Sequence, residues 1–225
     1  MIRVIASTFA AAALLAAAAA TAQSVVPGVL LQAVAATQAV KAEYAFDYDL
    51  QTSKQTWRAR FEPGASPRLR LVAPRRDDLD ADERRAFDRL AEQMEGVSWC
   101  ASENMGRVGD VRLLREDEAT ATYAFQPTRE SIRGEQARRF VDRLRGELTL
   151  VKAEPDVSRI RIFAPESFSP MPLVRVERVN IAITCQTAPN GRRYAAETVT
   201  EIRGSAFGRD FDERSVQHAR NLAAP

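Results

Sequence analysis

The chain has 225 residues, 45% of them hydrophobic and 28% charged, with 32 basic against 30 acidic side chains and a formal charge of +2. Disorder needs low hydrophobicity and a large net charge, so a disordered chain is excluded, as are a collagen, a coiled coil and a multi-pass membrane protein. The near balance of charge gives no broad positive field, which argues against a nucleic-acid partner.

Residues 1–22 contain one charge, Arg3, followed by an apolar run over 9–20 and the small-x-small triplet Ala20-Thr21-Ala22. That order reads as an export signal with a mature start at Gln23, in preference to a membrane anchor, because the apolar run is short and Pro27-Gly28 follows it instead of basic residues. It predicts a periplasmic protein. The bias of 29 Arg to 3 Lys suits a GC-rich bacterial genome more than it suits any partner.

Beyond the signal, Val26, Val29, Leu30, Ala33, Val34 and Val40 share one stripe of a helix. Tyr44, Phe46, Tyr48 and Leu50 then alternate with Ala45, Asp47 and Asp49, as do Trp57, Ala59 and Phe61 with arginines and Glu62, and Leu69 and Leu71 with Arg68 and Arg70. Strands with one apolar and one wet face belong to an antiparallel sheet. Asp80 with Glu83 forms a capping box before a helix whose stripe is Phe87, Leu90, Ala91 and Met94, with Gly96 as its stop. After strands near 111–114 and 119–125, Ala137, Phe140, Val141 and Leu144 predict a third helix ending at Gly146.

From there the pattern is strand. Segments 147–152 and 157–164 make a hairpin, residues 165–172 a loop, and Asn190-Gly191 a type I′ turn between two long strands. The second long strand carries Tyr194, Ala196, Thr198, Thr200 and Ile202 on one face, and Gly208 marks a bulge between Phe207 and Phe211. Residues 220–225 are expected to fray. The sum is an α+β fold: a curved antiparallel sheet, an unclosed β-barrel, with about three helices packed on its concave face, in one domain over 23–219.

Cys100 and Cys185 are a candidate disulfide in an oxidising compartment, worth about 4–5 kcal/mol by chain entropy; the alternative is two separately buried thiols. Two cysteines and one histidine cannot supply a four-ligand zinc cluster, and no cofactor or metal is expected. His218, near the end and past the last strand signal, is a poor catalytic base, and no HExxH, GxSxG, GxGxxG or Walker A motif is present. Clustered carboxylates at 77–83 and 116–118 fit capping and solvation better than a glycosidase pair. The expectation is a non-enzymatic protein.

The aromatic stripe carries the functional reading. Tyr44, Phe46, Tyr48, Trp57, Phe61, Tyr123 and Phe125 belong on one sheet face, opposite Phe87, Met94 and Phe140 on helices. Such a set is either a packed core or, if the helices are hinged, the wall of an apolar cavity for an acyl chain or hydrophobic peptide.

The export signal, the N-terminal helix, the run Ser66-Pro67-Arg68-Leu69-Arg70-Leu71, the helices inserted between strands and the final meander together resemble the periplasmic outer-membrane lipoprotein carrier family. The resemblance implies an unclosed barrel with helices as a lid over an apolar cavity. Pro67 to Leu71 approximates that family's Pro-x-x-Phe-Arg-Trp segment, with Leu69 for Phe and Leu71 for Trp, which makes Arg70 the arginine that latches a helix. The family's next Gly-rich hairpin is replaced by a charged helix. Phe163-Ala164-Pro165, Phe168-Ser169-Pro170-Met171-Pro172 and Gly204-Ser205-Ala206-Phe207 look like a group of exported bacterial proteins with no assigned activity. The expectation is a monomeric carrier for a hydrophobic ligand. The alternative is an envelope interaction module with a filled core and an exposed edge strand meeting a peripheral partner.

Overall fold

The computed structural model describes residues 26–40, 43–132 and 138–224. The export signal expected over 1–22 lies outside them. Among the described residues two α-helices, α1 (Gly28–Gln38) and α2 (Ala81–Gln93), accompany eleven strands: β1 (Ala45–Thr52), β2 (Thr56–Phe61), β3 (Leu69–Ala73), β4 (Gly109–Glu116), β5 (Thr120–Gln126), β6 (Arg145–Val151), β7 (Asp156–Phe163), β8 (Phe168–Met171), β9 (Val174–Thr187), β10 (Arg193–Ala206) and β11 (Arg209–Ala223). All strand pairings are antiparallel, in the order β3-β2-β1-β11-β10-β9-β7-β6-β5-β4, with β8 added to β9. The sheet is an up-and-down meander whose last strand returns to its first. It stays open between β3 and β4.

Register shifts in the β1–β11, β2–β3, β4–β5, β6–β7 and β9–β10 pairs bend the sheet, since each extra residue kinks its strand. One face of the sheet carries two large cores and a small third cluster of Ala188, Tyr194 and Ala196. One seats α1, through Leu30, Ala33 and Val34, on Val111, Phe125, Leu148, Leu150, Val157 and Ile160. The other seats α2, through Phe87, on Phe46, Tyr48, Trp57, Phe61 and Leu69.

The helices form for different reasons. α2 opens with the expected capping box: Asp80 accepts the N–H groups of Asp82 and Glu83, and Glu83 accepts that of Asp80. α1 has no side-chain cap and Pro27 at its N-cap. It depends on burying its Leu30–Ala33–Val34–Thr37 stripe, while Val29 from the expected stripe is exposed.

Between β3 and β4 the chain crosses the face that carries the helices. The Cys100 N–H donates to the Arg193 carbonyl, and the Ala195 N–H to that of Ser98, so Trp99 pairs as an isolated bridge with Tyr194. β10 is free to accept this segment because its β11 pairing begins only at Glu197. Cys100 and Cys185 are bonded, 85 residues apart in the chain, which fixes the crossing segment to β9. A bonded pair fits an oxidising, non-cytoplasmic compartment. No helix among the described residues is long and apolar enough to cross a membrane.

Several expectations are corrected. The expected third helix does not run on to Gly146: residues 133–137 lie outside the described residues, Arg138 is helical, residues 139–140 form a turn, Val141–Arg143 is one 3-10 turn, and β6 starts at Arg145. Gly146 does not stop a helix but sits in β6, where the Phe125 ring occupies the space that a Cβ would need. Residues 220–223 do not fray; they complete β11 against β1, with Ala223 opposite Ala45. His218 is therefore a strand residue, between Asp49 and Glu197. The 165–172 loop contains β8. The Asn190-Gly191 hairpin exists, but only Gly191 has positive φ (+82°), and the Gly191 N–H donates to the Ala188 carbonyl, as in a type I turn closed by a left-handed glycine. Phe207-Gly208 is not a bulge but the two-residue turn joining β10 to β11.

Candidate apolar cleft

The two cores do not meet. A cleft of about 630 Å³ lies between them, and its floor is the middle of the sheet: Ile160 and Ile162 of β7, Ile183 of β9, Ala195 of β10, Gln217 of β11 and Tyr48 of β1. Leu90 and Met94 close one side from the end of α2, and the crossing segment, with Val97, Trp99, Cys100 and Met105, closes another. The volume falls within the range of ligand-binding pockets, about 300–1,000 Å³.

Polar side chains share the lining, among them Glu43, Gln93, Glu95, Ser102, Asn104 and Gln217, and Tyr48 joins them from β1. Most of Tyr48 is buried, and the residue faces the cleft. Burial pushes the phenol up to about 12, so it stays neutral and able to donate. Tyr44, at the rim, packs edge-on against Trp99 with ring centroids 6.1 Å apart.

Of the residues expected to line a cavity, Tyr44, Tyr48, Phe61 and Met94 border this cleft. Phe46, Trp57 and Phe87 are packed inside the α2 core, where Phe46 stacks on Phe61 at 4.9 Å and Trp57 meets Phe87 edge-on at 5.5 Å. Phe125, with Tyr123 against it, belongs to the α1 core. Phe140 is on no helix and tilts against Phe168 of β8. Arg70 does not latch a helix. Leu69 takes the inner face, so its neighbour points outward, where Arg70 pairs with Glu62.

The residues that reading by sequence missed are Ile160, Ile162, Ile183, Val97, Trp99 and Met105. The isoleucines alternate visibly, and the Cys100–Cys185 bond is the one signal that carries 97–105 over β9.

Other concavities are polar. A groove of about 830 Å³ beside α2 is lined by Asp80, Asp82, Glu83, Arg85, Arg89, Glu213 and Arg214, a solvated charged surface. Among the described residues no group of three or more His, Cys, Asp or Glu side chains could hold a metal ion. His218 Nδ1 lies 3.8 Å from Glu197 on a partly exposed strand face.

No protein-family model matches the chain, and neither curated proteins nor solved structures include a match to it.

Proposed function

We propose that this protein is a periplasmic, non-enzymatic carrier that holds one hydrophobic ligand, a lipid, an acyl chain or a lipoprotein-like segment, in the cleft between its two cores. The observation that carries the reading is the cleft itself: a space with an isoleucine floor and a partly polar lining, onto which Tyr48 faces. A dozen buried methylenes would release about 10 kcal/mol before association costs, enough for micromolar binding. Tyr48 supplies one hydrogen bond to a carbonyl or hydroxyl at the buried end of the ligand. The reading agrees with the lipoprotein-carrier resemblance of the sequence, and a monomer suffices for it.

The test is to express the full chain with its export signal, extract the purified protein with organic solvent, and analyse the extract by mass spectrometry. A lipid at about one per chain is expected, and an acyl chain brominated along its length should quench Trp99. Ile183→Arg, which puts a guanidinium in the floor, should abolish both. A clean extract with no quenching by added acyl chains would overturn the proposal in favour of an interaction module.

A further inference from the structure

β9, β10 and β11 are far longer than the strands beside them. β1 pairs with β11 only from Ser215 onward, and β7 pairs with β9 only from Asn180 onward, so on those sides residues 209–214 lie beyond β1, and residues 174–179 meet only the short β8 and the Ala164 N–H that donates to the Val179 carbonyl. About six residues of each strand, roughly 20 Å, run past the body of the sheet, flanked by β8.

The ends of this projection are apolar. Met171, Leu173 and Phe207 are 55%, 73% and 71% exposed at the β8–β9 and β10–β11 turns. The two turns touch, since the Phe207 N–H donates to the Leu173 carbonyl at 2.8 Å. Both residues also hold positive φ, +65° for Leu173 and +51° for Phe207. Left-handed backbone favours glycine or asparagine, and a bulky apolar side chain there is an outlier with no packing gain to offset it. Behind the tips, Val174 pairs with Ala206, and Val176 with Gly204, which in turn faces Phe211, so one face of the projection is apolar as well.

We propose that this tip inserts into a phospholipid surface. The shape decides the occupant: the side chains project from a narrow convex end, which suits a soft apolar phase better than a preformed protein groove. Directly behind the turns stand Arg175 and Arg209, both exposed, where guanidinium groups meet lipid phosphates. Glu166 and Asp210 are exposed among them, so insertion of the apolar tip drives binding and bulk charge does not. The site is separate from the cleft and does not depend on the cleft being filled.

The experiment is flotation of the purified full chain with vesicles of phosphatidylethanolamine and phosphatidylglycerol. Wild type is expected to float, and Leu173→Asn with Phe207→Asn to lower partitioning by about tenfold or more. Asparagine accepts left-handed backbone, so the double variant should unfold no earlier than wild type. Leu113→Asn, an exposed apolar position on β4, should float as wild type does. In a protein carrying Phe207→Trp, vesicles should shift the indole emission to the blue. Wild type remaining with the soluble fraction, or the double asparagine variant floating equally well, overturns the proposal. So does concentration-dependent self-association without flotation, which would make the tips a contact between copies.

Discussion

The two halves of the helix-bearing face solve the same problem in opposite ways. The α2 half is built from large rings and a helix that is specified locally, by a capping box and a Phe87 stripe. The α1 half is largely aliphatic, its helix is uncapped, and the crossing segment beside it is held by the only disulfide. A helix with its own start signal needs only a greasy seat. One without it needs neighbours already in place, and here a covalent bond holds one of them. The cleft is the seam between the two arrangements.

That asymmetry can be broken from either side. Replacing Cys100 and Cys185 by serine should have the largest effect, about 4 kcal/mol of unfolding free energy by chain entropy. Hydrogen exchange should show protection lost first over 95–107 and α1, with α2 unchanged. Phe46→Ala and Leu30→Ala should each cost about 3–4 kcal/mol by leaving a cavity in its own core, and denaturant unfolding of the double variant should show the two costs adding. Coupling much above 0.5 kcal/mol would mean the cores are one. Asp80→Ala removes the acceptor of two N–H groups and should cost about 1 kcal/mol, while α1 offers no cap whose loss could match it.

The smallest effect is one of pH. The hydrogen bond from Asn221, aided by Arg60, holds the Asp47 carboxyl below the usual carboxylate range. A depressed folded value means the contribution is present above the ordinary Asp range and disappears as pH falls through the depressed one. Asp47 is partly exposed, so the loss should be a few tenths of a kcal/mol, read as the difference in acid-limb denaturation between wild type and Asp47→Asn.

Much of the sheet and α2 was legible because their signals are local: period-two alternation, a box three residues long, a turn at 190–191. The third helix misled because Phe140, Val141 and Leu144 fit a helical stripe as well as they fit a turn leading into a strand. The tail misled because its partner, β1, is far away in sequence: Asn221 bonds Asp47 across 174 residues. For the candidate site, aromatic density pointed to the right face and partly to the wrong residues. Rings fill space. The floor of the cleft is isoleucines and Ala195, and nothing local in those strands says which part of the sheet the helices leave open.

The pairing of β11 with β1 has a consequence for how the protein is made. Strands β1 to β3, with α2 upon them, join the rest of the sheet only through residues 215–223 of β11, far along the chain from them. A ribosome therefore delivers β1 to β10 before the sheet can become continuous, and contacts of such long sequence separation are slow to form. Cys185, too, emerges long after Cys100. Joining the two parts of the sheet thus waits on the arrival of β11.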